Sequence, residues 1–189
     1  VLANNPMQRA GAMGPGACEK ATAFICLCDS FHVPLVFLHD TPGFFVSRAA
    51  EEKKMPLKIM TFIEALHHST VPRVSVVIRK SYGMAHCNMS GGNMRSDALF
   101  AWPTADVSFM APEAAANVVF GRKVEDYDDP EGPRAALVEQ MQRMNAPWDA
   151  AGAGLFHDVI EPKATRRVLA EALARARGPG GDRGKSQRL

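Results

Sequence analysis

The sequence predicts a layered α/β domain built by repeating one unit, which consists of a helix, a buried strand and a glycine turn. Two observations lead to this prediction. A Val-Pro pair stands before each of two short apolar runs, and each run ends at a glycine turn. The pairs begin at Val33 and Val71, 38 positions apart. Two copies are too few for a solenoid, so we predict one layered domain.

The first copy begins with a strand end and a helix. Residues 1–3 have the character of a strand end and residues 4–6 that of a turn, and the chain has no initiator methionine. We interpret the chain as a piece of a longer polypeptide. A helix is predicted over residues 16–31, because apolar residues recur at three- and four-residue steps. These residues are Ala21, Phe24, Ile25 and Cys28.

The first buried strand follows Pro34, which favours an extended conformation in the residue before it. Residues 35–38 are all apolar and are predicted to form a buried strand. A glycine turn occupies residues 40–45, and a charged loop over residues 48–54 leads to a second helix over residues 57–68. This second helix is the first element of the second copy of the unit.

The second copy contains a strand over residues 73–78 and a second glycine turn at Tyr82-Gly83. Beyond it we predict strands over residues 98–101 and 107–110, and a helix that opens at Pro112. The remaining predictions are a polar segment over 122–133, helices over 134–144, 147–153 and 163–177, and a disordered tail over 178–189.

Composition excludes several classes of function. With 189 residues, 47% of them hydrophobic, the chain can bury one substantial core. The formal charge of +2 and the lack of a basic stripe argue against nucleic-acid or membrane-surface binding. The longest apolar stretch is interrupted by Asp29, His32 and Pro34, so we predict a soluble protein. The four cysteines lack paired metal spacing, which predicts reduced, buried thiols and no metal.

The residues favour chemistry by backbone groups. No Ser-His-Asp order, phosphate loop or spaced pair of carboxylates stands out. Small residues such as Gly83 and Ala85 let a ligand approach the main chain, where N–H groups at a helix start favour negative charge on an oxygen. A purely structural role for the glycine turns stays open. We expect His86 to be a hydrogen-bonded, half-buried histidine rather than an acid or base, and His39 and Asp40 to point to opposite faces.

Five segments together carry a resemblance to the carboxyl-terminal half of the biotin-dependent acyl-CoA carboxyltransferases. That family includes the propionyl-CoA and methylcrotonoyl-CoA carboxylase subunits, and the resemblance extends from residue 1 to about residue 177. The segments are VLANNPMQRAGAM, EKATAFICLCDSFHVPLVFLHDTPGF, VPRVSVVIRKSYGMA, FAWPTADVSFMAPEAAANVV and HDVIEPKATRRVLAEAL.

The resemblance implies a crotonase-like fold of repeated ββα units, with residues 1–177 as the subdomain on the carboxybiotin side. It also implies the transfer of a carboxyl group from carboxybiotin to the α-carbon of a short acyl-CoA. The implied partners are an amino-terminal carboxyltransferase half, biotin carboxylase and biotin carboxyl carrier components, and further copies in a homo-oligomer such as a hexamer. A lone chain would then be inactive, and a bacterial cytoplasmic protein is expected.

The resemblance also implies site residues. The turn at Tyr82, Gly83, Met84 and Ala85 would supply backbone N–H groups to the ureido oxygen of biotin. The turn formed by Pro42, Gly43 and Phe44 would be another wall of the same pocket. Cys87 stands where relatives carry an aspartate that influences the choice of acyl group.

This chain departs from the family pattern at three places. Met84 replaces a second glycine, His86-Cys87 replaces a Tyr-Asp pair, and Phe45-Val46-Ser47 replaces Leu-Pro-Gly. Three alternatives to the transferase stay open. A biotin-dependent acyl-CoA decarboxylase subunit would use the same site, the departures at Met84 and residues 45–47 suggest a non-catalytic half-domain for carrier binding or assembly, and the third is a crotonase-type hydratase or isomerase. The hydratase is disfavoured because neither glycine turn contains a glutamate.

Overall fold

A parallel sheet forms the centre of the protein. The structure is a computed structural model and describes residues 1–92, 94–120 and 131–177. In this part of the chain five strands lie in the order β1-β2-β3-β4-β6, and β5 pairs with β3 off this path; all the pairs are parallel. The strands are β1 (Leu2–Ala3), β2 (Leu35–Thr41), β3 (Arg73–Tyr82), β4 (Ala98–Ala101), β5 (Asp106–Ser108) and β6 (Asp158–Val159).

Helices connect these strands, as parallel pairing requires. They are α1 (Pro15–Ser30), α2 (Arg48–Glu52), α3 (Met55–His68), α4 (Gly83–Asn88), α5 (Pro112–Phe120), α6 (Glu131–Met144), α7 (Pro147–Gly152) and α8 (Thr165–Arg177). Short 3-10 helices occur at Arg9–Gly11 and Pro162–Ala164. The predicted α/β class is confirmed.

The predicted repeat is visible in the register of the two central strands. Leu35 pairs with Arg73 and His39 pairs with Val77, so each residue of β2 lies beside its counterpart 38 positions later. After His39 the register shifts, and Thr41 pairs with Ser81. The irregularity gives β3 two more residues than β2 over the same stretch, and both strands still end side by side.

Both faces of the sheet are covered. On one face, Phe37 packs with Ile25 of α1 and Phe62 of α3 in the first core cluster. On the other, Val76 packs with Phe100 in the second core cluster, against the partly buried apolar face of α8. Buried apolar strands of this kind are typical of parallel sheets. Because side chains pack against β2 and β3 on both faces of the sheet, the positions of their carboxyl ends, where the two turns start, are fixed.

Several expectations need correction. The segment expected to be a charged loop contains α2, which Ser47 caps by accepting a hydrogen bond from the amide of Ala50 at 3.1 Å. The strand expected over residues 107–110 is β5, and β6 was not expected at all. The four cysteines are free, but only Cys18 and Cys28 are buried as expected; Cys26 on α1 is exposed and Cys87 is half-buried.

Other elements have boundaries that differ from the predicted ones. Strands β2 and β3 run three and four residues further than expected, up to the glycine turns themselves. Residues 131–133 of the expected polar segment belong to α6. The rest of that segment up to residue 130, and the tail over 178–189, lie outside the described residues. Among the helices that the structure describes, none has the length and apolar character needed to span a membrane.

Candidate functional site

The two glycine turns leave the sheet at neighbouring points. Thr41, the last residue of β2, pairs with Ser81 near the end of β3. Beyond these paired residues the chain enters the first glycine turn (residues 42–44) and the second glycine turn (residues 82–85). The crevice outside the carboxyl ends of strands is where ligands bind in open α/β sheets.

The first glycine turn is tied to the segment before α1. The amide of Met13 donates to the carbonyl of Gly43 at 3.0 Å, and the amide of Phe45 donates to the carbonyl of Met13 at 2.9 Å. Phe44 and Phe45 are half-buried and pack against the first core cluster. Gly43 has φ +130°, which side chains rarely allow. The turn therefore presents a small, fixed and largely apolar surface.

The second glycine turn requires glycine at Gly83. Its φ is +57°, and a Cβ at this position would lie 2.9 Å from the carbonyl oxygen of Phe109. The helix α4 starts at this residue, and no side chain caps its first turn. The first amides of a helix have no partner within the helix, so the start of α4 offers N–H donors. The side chain of Met84 is 53% exposed, whereas Ala85 is fully buried in the first core cluster.

Tyr82 directs its side chain into the protein. Its ring is buried, and its hydroxyl donates to Oδ2 of Asp106 on β5 at 2.5 Å. Burial and this bond raise the pKa of Tyr82. A ligand at the second glycine turn would thus meet the backbone of Tyr82 rather than its hydroxyl.

An ion-pair cluster lies beside the irregularity between β2 and β3. Arg79 donates through two nitrogens to Asp40, at 3.2 and 3.0 Å, and Nζ of Lys80 is 3.7 Å from the same carboxylate. The hydrogen bond to Asp40 raises the pKa of Arg79. Asp40 contacts these bases, whereas His39 contacts Ser81. That the two neighbours point to opposite faces stays a prediction.

A buried hydrogen-bond chain joins His39, Ser81 and His86. The hydroxyl of Ser81 is 2.9 Å from Nδ1 of His39 and 2.9 Å from Nδ1 of His86. Burial lowers the pKa of His86 to about 4 and that of His39 well below its usual value. The expectation of a hydrogen-bonded His86 is confirmed. No local pattern indicated a role for Ser81, which is fully buried.

Cys87 follows in the same short helix and is half-buried. Its side chain packs against the first core cluster, and burial raises the pKa of its thiol. At neutral pH the thiol is therefore neutral, unlike the aspartate expected at this position. Within the three described ranges, no group of three or more His, Cys, Asp or Glu side chains is placed to hold a metal ion.

A cavity of about 400 Å³ lies elsewhere, beside β1 and α1. Its walls come mostly from the first 24 residues, together with Met89, and none of the residues of the two glycine turns lines it.

Comparison with known proteins identifies the family. The carboxyl transferase domain family matches residues 1–178. The methylmalonyl-CoA carboxyltransferase 12S subunit of Propionibacterium freudenreichii subsp. shermanii is 38% identical over 92% of this chain. The methylmalonyl-CoA decarboxylase subunit alpha of Propionigenium modestum is 33% identical over 92% of it. The chain spans 33% and 34% of these two proteins, about a third of their length.

Solved structures agree with this result. The crystal structure of the hexameric transcarboxylase 12S with methylmalonyl-CoA and methylmalonic acid bound has a TM-score of 0.88 and 36% identity, covering 99% of this chain and 36% of that one. The beta subunit of Pseudomonas aeruginosa geranyl-CoA carboxylase has a TM-score of 0.78 and 25% identity, covering 92% of this chain and 39% of the other. The predicted crotonase-like fold is confirmed, and the chain belongs to the carboxyl transferase domain family.

Proposed function

We propose that this chain is the carboxybiotin-side part of a biotin-dependent acyl-CoA carboxyltransferase. One structural observation supports the proposal in addition to family membership. The two glycine turns begin at the paired residues Thr41 and Ser81, and the second runs directly into an uncapped helix start. This arrangement sets backbone donors beside a small apolar wall, which suits the ureido oxygen and the apolar rings of biotin.

The donors proposed for the ureido oxygen are the amides of Met84 and Ala85. Backbone N–H groups aimed at a developing negative charge stabilise it without needing to reorient, and one such donor contributes about 3 kcal/mol to transition-state stabilisation. Biotin, when bound, supplies the carboxyl group carried on its ureido nitrogen. Met84 fits this role although relatives carry glycine there, because its exposed side chain leaves the backbone accessible.

The apolar wall proposed for the same ligand is the first glycine turn, at Pro42, Gly43 and Phe44. All three residues are half-buried, and the hydrogen bonds of Met13 to Gly43 and Phe45 hold the turn in place without a ligand. Tyr82 would contribute its backbone alone, since its hydroxyl is engaged with Asp106. Because Gly43 has no side chain, a ring of the ligand can approach the backbone of this turn closely.

Acyl-CoA binding is assigned to a second half of the enzyme. The chain spans about a third of its relatives, and the 12S relative was crystallised as a hexamer with methylmalonyl-CoA. We infer that an amino-terminal carboxyltransferase half holds the acyl-CoA, and that biotin carboxylase and a biotin carrier supply the carboxyl group. Residues 1–177 would form one subdomain of this homo-oligomer, in a bacterial cytoplasm.

A biotin-dependent decarboxylase is the second candidate. The relative from Propionigenium modestum is a methylmalonyl-CoA decarboxylase subunit, and it also matches 92% of this chain. Both reactions would use the same amides, because the carboxyl group moves between the same two atoms in opposite directions. The partner that accepts or supplies the carboxyl group would distinguish them.

The test uses the chain joined to its amino-terminal carboxyltransferase half, which we call the joined protein. Loss of carboxyl from malonyl-CoA and methylmalonyl-CoA is measured with and without free biotin. We expect biotin to stimulate the loss and the two rates to rank the substrates. A folded oligomer without any stimulation would contradict the proposal and favour a non-catalytic role in carrier binding or assembly.

Changing Cys87 to Asp tests the assignment of acyl selectivity. We expect Cys87→Asp to change the ratio of turnover on malonyl-CoA and methylmalonyl-CoA without abolishing either, because a carboxylate would replace a neutral thiol beside the second glycine turn. The ratio of kcat/KM values in the joined protein is the measurement. Cys87→Ser, which keeps the size and neutrality, is the matched control and should leave the ratio near that of the parent. The same ratio in all three proteins would contradict the assignment.

A further inference from the structure

The chain of hydrogen bonds through Ser81 links two segments that the sequence separates by 47 positions, from His39 to His86. His39 lies on the same face of β2 as Thr41, two residues before it, and Thr41 is the partner of Ser81. His86 lies on α4, directly after Ala85. The rings of the two histidines meet edge to face, with centroids 5.4 Å apart. Ser81 thus connects the end of β2 to the first turn of α4.

The hydroxyl of Ser81 donates one of its two hydrogen bonds and accepts the other. Serine has one hydrogen to donate, so of its two contacts with imidazole nitrogens one is a donation and the other an acceptance. One histidine must therefore carry a hydrogen on Nδ1 while the other does not. Both imidazoles are held neutral by burial, which keeps the bonding pattern constant at neutral pH. A buried chain with satisfied Nδ1 atoms at both ends resists displacement of either end.

A tight contact on the far side holds the ring of His86. A Cβ at Gly91 would lie 2.5 Å from Nε2 and 2.6 Å from Cε1 of this ring. The imidazole therefore rests on the backbone of Gly91, with Ser81 on its other side. The helix α4 has six residues and no capping side chain, so its orientation is defined by the packing of Ala85 and Cys87 against the first core cluster and by hydrogen bonds of its side chains. Asn88 supplies one at the other end, where its Nδ2 donates to the carbonyl of Ile59 at 3.0 Å.

We propose that His39, Ser81 and His86 form a positioning network that fixes the first turn of α4 against the end of β2. The inference rests on the proposed function, because it makes this network responsible for the spacing between the amides of Met84 and Ala85 and the first glycine turn. None of the three side chains needs to touch a ligand. They act by holding the backbone that does.

The experiment compares Ser81→Ala with Ser75→Ala in the joined protein. Ser75 lies on the same strand and is equally buried, but it donates to the carbonyl of Ser90 at 2.9 Å and lies 3.5 Å from that of Met89, both beyond the last residue of α4. Hydrogen–deuterium exchange of the peptide covering residues 82–89 reports the order of α4 independently of activity. We expect faster exchange of this peptide in Ser81→Ala, and a change confined to residues after 89 in Ser75→Ala.

Kinetics provide the second readout. We expect Ser81→Ala to lower kcat of the biotin-stimulated carboxyl loss by about 10- to 100-fold, because a small misplacement of binding groups has effects of this size. KM for the acyl-CoA should stay constant, since the other half binds it, and Ser75→Ala should retain kcat close to that of the parent. If Ser81→Ala does not fold, His86→Phe replaces it, because phenylalanine keeps a ring but cannot bond to Ser81.

The two readouts separate the possible failures. Unchanged exchange at residues 82–89 in a folded variant would overturn the positioning network. Faster exchange with unchanged kcat would equally overturn it, since α4 would then move without effect on the reaction. If the parent protein itself shows no biotin stimulation, the proposed function fails, and the exchange comparison alone decides whether the network holds α4.

Discussion

Met84→Pro in the joined protein is expected to lower biotin-dependent turnover by roughly 10²- to 10³-fold, the usual effect of removing one oxyanion donor. Proline lacks the N–H group proposed to bind the ureido oxygen. The position suits this test because the side chain of Met84 is 53% exposed, so the substitution buries nothing new. Proline is also tolerated in the first turn of a helix, and Gly83 before it has no Cβ to obstruct the ring.

The matched control is Met84→Ala at the same position. Alanine removes the side chain and keeps the amide, so we expect turnover near that of the parent protein. The steady-state rate of carboxyl loss from methylmalonyl-CoA, with saturating biotin, is the measurement for both variants. If Met84→Pro retained full turnover, or if both variants lost it equally, backbone stabilisation at the second glycine turn would be the wrong mechanism.

Arg73→Ala is expected to produce the largest loss of stability, about 3–5 kcal/mol of the free energy of unfolding. Arg73 is 1% exposed and is the largest fully buried side chain among the described residues. Its guanidinium donates to the carbonyl of Leu66 at 2.7 Å and to the carbonyl of Met94 at 2.7 Å. Leu66 belongs to the last turn of α3, where the carbonyls have no donor within the helix. The partial negative charge at this end of the helix also stabilises a positively charged side chain.

Removal of this side chain leaves a cavity and unpaired carbonyls in the interior. Burial lowers the pKa of Arg73 only to about 10, so the group is still charged at neutral pH and its hydrogen bonds to carbonyls are charge-assisted. The thermal midpoint of the joined protein is the measurement. Arg48→Ala is the control, because Arg48 pairs with Glu52 on the surface at 94% side-chain exposure. An equal change in the two midpoints would contradict the role assigned to Arg73.

Local patterns predicted much of the fold. The Val-Pro pairs and apolar runs marked β2 and β3, and their 38-residue offset reappears as the register between the strands. These predictions held because buried parallel strands are continuous apolar runs, a signal that adjacent residues carry by themselves. The helix α2 was missed because it has five residues, too few for a helical period, and depends on the cap at Ser47.

The predicted site residues lie at the ends of neighbouring strands, but their surroundings were not predictable. The expected role of Tyr82 concerned its backbone, and nothing near it in the chain indicated that its hydroxyl bonds to Asp106, 24 positions later. Arg73 looked like the polar start of a strand, yet it bonds to α3 and to the loop before β4. A charged or polar residue can be buried only if distant groups satisfy it, and no local pattern records those groups.

The sequence by itself determined the α/β class, the repeated unit, the glycine turns at the strand ends and, through resemblance, the family. Each of these depends on residues close together in the chain. Only the tertiary structure decided that Ser81 joins His39 to His86, that Gly83 passes against the carbonyl of Phe109, and that the second glycine turn starts beside the first. These contacts arise when packed strands bring distant side chains together, so they depend on the register of the sheet and not on any segment alone.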